Sequence, residues 1–396
     1  MLTIGIDIGG RQHVAARCRE GQPRADHRVL RFGADRAGFD ALDAWLAAQP
    51  EPVRLVAMES SGHYWVNLAS HLRRRGHPVA VVNPLSAKYF AKRHLRRTKS
   101  DPADARVLAE LAMRDDPRSG EPLVGAELRA AARFAMTLVR QRASICQRLQ
   151  RLVELGFPEL REVFDDPSCR TAREVLRVAP TAAAASRRRT GTLAGANAGP
   201  RRRALGATRA AALQTAARNT TAAPELEAEV GFEVPVLLDQ LELLDRQVAA
   251  ADAHLAGLLD GELARRLQTI PGVGPASAAT FMAEIGDIAR FDDFDQLLAF
   301  AGMHPREASS GRKGASPETS WQMAKTGNPH LRAAAYHVAL AGIVHNPLIR
   351  AHYLRKREAG KSPMNALGHC MRKALAIVWG VWRSGRDFDP GGGRTP

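Results

Sequence analysis

Asp7, Glu59, Asp101 and Asp104 are four acidic residues in the first part of a chain that is otherwise strongly basic. Asp7 ends the apolar run Leu2-Thr3-Ile4-Gly5-Ile6, Glu59 follows the apolar run Leu55 to Met58, and Asp101 and Asp104 stand three residues apart in Lys99-Ser100-Asp101-Pro102-Ala103-Asp104-Ala105-Arg106. Magnesium takes oxygen ligands and keeps several waters, so carboxylates drawn from separate elements can hold one or two ions against a scissile phosphate. The chemistry this predicts is magnesium-assisted phosphoryl transfer. Singly, Asp7 or Glu59 reads equally well as a surface or capping residue. Their joint placement after apolar runs, with an Asp-x-x-Asp following, is what points to a site.

Two further segments carry chemistry. Pro305-Arg306-Glu307-Ala308-Ser309-Ser310-Gly311-Arg312-Lys313-Gly314 reads as a small basic loop, in which flanking cations suit a serine hydroxyl that meets a phosphate. The same composition also makes an ordinary turn. Ile270-Pro271-Gly272-Val273-Gly274-Pro275 reads as a helix-hairpin-helix turn, whose glycines let backbone approach a phosphate. A Gly-x-Gly turn that only joins two packed helices is the plainer alternative.

The elements that must position these residues can be read from pattern. Apolar strands are predicted at Leu2–Asp7, Val14–Arg17, Leu55–Met58 and Pro78–Asn83. A basic helix follows from Pro84, and another helix starts near Asp101, with Asp101 as a possible cap and Pro102 in the first turn. Strands alternating with helices imply an α/β layer over residues 1–125. Gly- and Pro-free stretches rich in Ala, Leu and Arg predict a long helix from Leu128 to Leu155. Apolar spacing predicts another from Val234 to Leu259, and the two are suited to an antiparallel coiled coil within a middle region, 126–264. Between them lies an Ala- and Arg-rich stretch, at about 165–225, read as a helical insert with a basic face. A mainly helical third region spans 265–386, and residues 387–396 read as a disordered tail.

Composition limits the partner. Lys and Arg number 57 against 41 acids, a formal net charge of +16, which favours a polyanion through phosphate neutralisation and counterion release. Candidate phosphate contacts are Arg97, Lys99, Gly272, Gly274, Arg306, Arg312, Lys313, Lys325 and Arg332. No run of about eighteen apolar residues exists to cross a bilayer, so no membrane partner is expected. Cys18, Cys146, Cys169 and Cys370 are scattered without metal spacing. With no secretion signal at the start of the chain, reduced thiols in a bacterial cytoplasm, near the nucleoid, are the expectation.

Ile4-Gly5-Ile6-Asp7, Met58-Glu59-Ser60-Ser61-Gly62-His63-Tyr64, Val82-Asn83-Pro84 and Lys99 to Arg106 together resemble the RuvC-like half of the DEDD insertion-sequence transposases. Ile270–Gly274, Phe300-Ala301-Gly302-Met303-His304-Pro305-Arg306, Ser310-Gly311, Met323–Asn328 and Met371-Arg372-Lys373 resemble the C-terminal half of that family. The resemblance covers about residues 1–155 and 230–389; the stretch at about 165–225 matches none of its motifs. It implies a RuvC-like, ribonuclease-H-type α/β domain followed by helical regions, with Asp7, Glu59, Asp101 and Asp104 as magnesium ligands. It also implies that Ser310, with Ser309 its neighbour, is a nucleophile supplied by a partner subunit and forms a covalent phosphoserine. The implied activity is site-specific recombination of donor and target DNA guided by a structured noncoding (bridge) RNA, in a homodimer that assembles to a tetramer. Two alternatives remain at this point. One is a metal-dependent DNA junction nuclease without a covalent intermediate. The other is an actin-like sugar kinase, for which Ile4–Gly10 would be a phosphate loop but no second Asp-x-Gly loop is found.

Overall fold

The computed structural model describes residues 1–21, 27–60, 62–93, 100–115, 125–196, 205–308 and 320–391, with side chains described throughout except at 85, 93, 306–308 and 320–322. The chain divides into two compact units, Met1–Ala126 and Glu127–Pro396.

The first unit is built on strands β1 (Leu2–Asp7), β2 (Gln12–Arg19) and β3 (Val29–Gly33), helix α1 (Arg36–Ala47), strand β4 (Val53–Glu59), helix α2 (Trp65–Arg74), strand β5 (Val79–Val82) and helices α3 (Pro84–Arg93) and α4 (Asp101–Arg114). The strands form one mixed sheet in the order β3-β2-β1-β4-β5. β1, β2 and β3 pair antiparallel in succession, whereas β1 with β4 and β4 with β5 are parallel. Alternation along each strand sorts side chains to two faces. Ile4, Ile6, Val56 and Met58 pack with Leu42 and Leu46 of α1 and Leu68 and Leu72 of α2. Leu55, Ala57, Ala80 and Val82 pack on the other face with Phe90 of α3 and Val107, Leu108 and Leu111 of α4. A sheet covered on both faces explains why its strands read as nearly continuous apolar runs.

Three details differ from the sequence expectation. β2 is longer at both ends than Val14–Arg17, and β3 was not foreseen; Val29-Leu30-Arg31-Phe32-Gly33 is only partly apolar because it is the sheet's edge. Asp101 is not the cap of its helix. Ser100 takes the extended cap conformation, and Asp101 is the first helical residue, before Pro102.

The second unit holds α5 (Ala126–Gly156), α6 (Arg170–Val178), α7 (Ala182–Arg187), α8 (Thr190–Ala194), α9 (Ala207–Arg218), α10 (Glu227–Leu258), α11 (Glu262–Gln268), α12 (Pro275–Ile285) and α13 (Phe294–Phe300). A two-stranded hairpin, β6 (Pro305–Ala308) with β7 (Ser320–Met323), then leads to α14 (Pro329–His345), α15 (Pro347–Glu358) and α16 (Pro363–Ser384). Helices α5 and α10 run antiparallel, as the ion pairs Arg148–Glu233 and Arg142–Asp245 show. α10 starts upstream of Val234 and contains Pro235. The buried Val230, Val234, Leu237, Leu238 and Leu241 carry the helix through the lost hydrogen bond. The Ala- and Arg-rich stretch folds mostly as α6 to α9, whose apolar sides share one core with α5 and α10.

A separate core joins α11 to α16. The chain after Ser384 is not a free tail throughout its described part. Asp387 pairs with Arg265, the Phe388 amide donates to Thr269 Oγ1 (2.9 Å), and the Phe388 ring packs on this core. An aromatic residue among glycines and charges supplied the anchor that composition concealed. All four cysteines are free thiols. Among the described residues no helix is long and apolar enough to cross a membrane.

Candidate active site

Two neighbouring parallel strands deliver the first two carboxylates. Ile6 lies opposite Met58 in the β1–β4 register, so Asp7 and Glu59 emerge side by side at the same end of the sheet. The other two arrive on α4. Thr3 Oγ1 donates to the Ala109 carbonyl at 2.8 Å, and a Cβ on Gly5 would stand 2.1 Å from the Ala105 carbonyl oxygen. Successive contacts thus match residue 3 with 109 and residue 5 with 105. The helix runs antiparallel to β1, and its first turn, with Asp101 and Asp104, reaches the strand end that bears Asp7. Gly5 is required because any side chain there would push the helix off the strand.

The crowding has an electrostatic consequence. The Asp7 carboxyl is pushed up from 3.8 to about 6, by burial first and then by the charges of Asp104, Asp101 and Glu59; a hydrogen bond from the Ile8 backbone opposes them. Only carboxylates gathered at one place repel in this way. Among the described residues, no three His, Cys, Asp or Glu side chains close on one point tightly enough to form a ready cage. The four acids therefore share a neighbourhood without converging fully. Oxygen-only donors whose mutual repulsion a divalent cation would relieve fit magnesium better than a softer metal.

Residues around Asp7 hold its loop. Gly9 makes the turn into β2, since a Cβ there would lie 2.3 Å from the Gln12 carbonyl oxygen. Its amide donates to His13 Nδ1 at 3.3 Å. His13 is buried against Phe32 and Phe39, and burial keeps its imidazole below the usual range, hence neutral. Gly10 lies beside the Tyr64 ring, which follows Glu59 in the chain. Sequence reasoning missed His13. A histidine starting an apolar strand was its only signal.

The second unit places the remaining candidates unevenly. Ser310, with Ser309, Arg312, Lys313, Arg97 and Lys99, lies outside the described residues, and the Arg306 side chain does too. Gly272, at φ +99°, faces α14, where a Cβ would stand 3.1 Å from the Gly342 amide, whereas Gly274 faces open space. Arg332 donates to the Ala301 carbonyl at 2.9 Å and so caps α13. Lys325 is exposed in a left-handed conformation (φ 57°), with its amide bonded to the Gly302 carbonyl.

The root of the β6–β7 hairpin is fixed by a network not foreseen from sequence. Glu284 of α12 is buried and accepts two hydrogen bonds from Arg133 (2.6 and 2.9 Å) and one from Asn328 Nδ2 (2.6 Å). Asn328 Oδ1 in turn caps α14, and its amide bonds to the Phe300 carbonyl. An acid inside the apolar Phe-Met-Ala-Glu-Ile run was the available clue, since a buried carboxylate needs partners.

Comparison with known proteins finds two family matches, in order along the chain. Residues 4–158 match a transposase family model of the DEDD type named for IS110, and residues 264–354 match the transposase IS116/IS110/IS902 family. Over 98% of this chain and 96% of the relative, it is 32% identical to the "Mini-circle putative transposase for IS117" of Streptomyces coelicolor. It is 28% identical to a 44.8 kDa protein of insertion element IS116 from Streptomyces clavuligerus, over 98% of this chain and 96% of that one. It is also 24% identical to the pilin gene-inverting protein of Moraxella bovis, over 90% of this chain and 89% of that protein. The sugar-kinase alternative is set aside. With the acids placed at the sheet end, with both halves matched in order and with a relative aligned along nearly its whole length, the chain belongs to the IS110 family of insertion-sequence transposases.

Proposed function

We propose that this transposase is an RNA-guided site-specific recombinase whose RuvC-like acids and whose Ser310 form one composite site. The observation that carries the reading is the gathering of Asp7, Glu59, Asp101 and Asp104 at one sheet end, with Asp7 driven up to about 6 by burial and by the other three. The sheet order β3-β2-β1-β4-β5, with β2 antiparallel, supports the ribonuclease-H-type assignment. Asp7, Glu59, Asp101 and Asp104 would hold one or two magnesium ions. When bound, such ions offset charge on the scissile phosphate.

The chain's own groups account for the rest. Asp7, on its short Gly9 turn tied to neutral His13, is oriented before substrate arrives. The Ser310 Oγ attacks phosphorus as its proton leaves to a base, the P–O bond to one deoxyribose breaks, and that oxygen departs as a hydroxyl. In the reverse step, a hydroxyl of the new partner strand displaces serine. Storing the phosphodiester as phosphoserine permits rejoining without an external energy source. A relative named for inverting a gene supports rejoining over simple cutting, because an inverted segment must be sealed at both ends. Serine supplied by a second subunit requires at least a dimer, and exchange between two duplexes a tetramer. Base pairing of a guide RNA with donor and target DNA would carry sequence choice, leaving the basic protein to grip backbone.

The test is a covalent protein–DNA adduct formed with donor DNA, magnesium and the RNA transcribed beside the gene, resolved on a denaturing gel. Wild type and Ser309→Ala form it, and Ser310→Ala does not. Adduct formation by Ser310→Ala overturns the nucleophile; cleavage by wild type without any adduct favours a junction nuclease instead.

A further inference from the structure

In the first unit, strands β1, β4 and β5 are parallel and end at one edge of the sheet, at Asp7, Glu59 and Val82. Ligands of open α/β sheets bind outside such carboxyl ends, so the loops there are the ones a substrate meets. One of these loops carries two bare rings. His63 and Tyr64, shortly after Glu59, stack with ring centroids 4.2 Å apart and planes tilted by 35°. Trp65, next in the chain, packs on the core, whereas His63 and Tyr64 are exposed, Tyr64 at 47%. Among the described residues of this unit, the other exposed large hydrophobic side chains are Tyr89, in the second turn of α3, and Met1, at the far end of β1.

A glycine seats the Tyr64 ring. A Cβ on Gly10, in the turn that follows Asp7, would stand 3.2 Å from Cζ and 3.4 Å from the hydroxyl oxygen. The ring is thus braced by the β1–β2 turn and by His63 while about half of it stays in solvent. Both loops that meet at it follow an acid, Asp7 in one and Glu59 in the other. A nucleobase offers the complementary surface, because every base has a π-face. Stacking also needs no cation, which matters beside four carboxylates that repel the phosphates of an approaching strand. We propose that Tyr64, backed by His63, is a stacking platform for an unpaired base of the DNA strand whose phosphate the acids receive. In a duplex the base faces are covered by their neighbours, so the ring selects an opened strand. The proposal rests on the reading of Asp7, Glu59, Asp101 and Asp104 as the phosphate site, and adds a residue that orients the strand there.

Single-stranded DNA carrying one iodouracil, irradiated on the full-length protein, tests it, since this base joins to an aromatic ring that it stacks on. The crosslink, located by mass spectrometry, should fall on His63 or on residue 64, persist in Tyr64→Phe and drop severalfold in Tyr64→Leu. Magnesium should raise its yield in wild type and not in Asp7→Asn. In binding titrations Tyr64→Leu should weaken single-stranded DNA by about tenfold, spare duplex and leave the salt slope unchanged, because no phosphate contact is lost. An unchanged melting temperature confirms the fold. Crosslinks elsewhere with none on these rings, equal weakening by Tyr64→Phe and Tyr64→Leu, a reduced salt slope, or stronger crosslinking of the matching RNA each overturns the proposal. A crosslink on these rings that ignores both magnesium and Asp7→Asn overturns the acids as the phosphate site, and with them the platform's place. Because cleavage is not read, Ser310→Ala crosslinks as wild type, so a failure here is distinct from a failure of the serine mechanism.

Discussion

A carboxyl group that titrates near 6 costs the folded protein stability whenever it is charged. For Asp7 the direction follows from linkage: the folded state binds its proton more tightly than the ordinary value of 3.8 allows, so stability falls as pH rises from about 4 to about 6 and stays reduced above that. Asp7→Asn removes this penalty. The variant should melt at a higher temperature than wild type well above pH 6, with the difference vanishing near pH 4, and magnesium should narrow the gap by raising wild type alone. Equal melting temperatures at high pH would show that Asp7 is neither crowded nor buried as described. A variant more stable without Asp7 would agree with the proposed role, because functional sites are commonly held at the expense of stability. At this scale the sequence was highly legible: Asp7 and Glu59 each follow an apolar run, and an Asp-x-x-Asp at a helix start is visible without a fold. His13 and Glu284 were not, because a single polar residue in an apolar run does not reveal its partner.

Among the elements, helix α12 and the hairpin root depend on one buried acid. Burial alone would raise the Glu284 carboxyl, but the hydrogen bonds from Arg133 and Asn328 and the Arg133 charge reverse this and hold it below the usual range. Its contribution is present above the ordinary value and is lost as pH falls through the lowered one. Arg133→Met leaves the carboxylate buried and short of its charged partner, and should cost about 3 kcal/mol in denaturant unfolding. Arg177→Met, which removes exposed pairs to Asp239 and Glu242, should cost below about 1 kcal/mol. Similar costs for the two would mean that Glu284 is better solvated than its position implies. The long helices α5 and α10 were legible from uninterrupted helix formers, whereas the start of α10 was not, since Pro235 reads locally as a boundary and only the buried Val230 and Val234 override it. The short strand β3 was missed for the converse reason: an edge strand shows too little apolar pattern to stand out.

For the whole molecule, the proposed pairing of one subunit's acids with another subunit's serine makes a prediction about mixtures. Asp7→Asn and Ser310→Ala should each fail to form the covalent adduct alone. Mixed and allowed to exchange subunits, they should recover part of it, because one site of each heterodimer then has an intact acid set and an intact serine. Recovery is read on the same denaturing gel, with adduct on the Asp7→Asn chain only. No recovery despite subunit exchange, verified by differently tagged chains, would place acids and serine on the same subunit. The net charge of +16 agrees with a nucleic-acid partner at this scale but names no surface.

By itself, the sequence determined the α/β opening, the long helices and the family, and it marked the four acids as candidates, because apolar periodicity, helix propensity and short motifs are local properties that survive without coordinates. Tertiary structure decided the rest. Only packing of α4 across Gly5 shows why Asp101 and Asp104 meet Asp7, only the fold turns Gly272 toward α14 and Arg332 toward a helix end, and only the seat of Tyr64 on Gly10 joins the loops that follow Asp7 and Glu59. Each depends on which backbone lies against which. That is set by contacts between residues far apart in the chain, and no spacing within it records them.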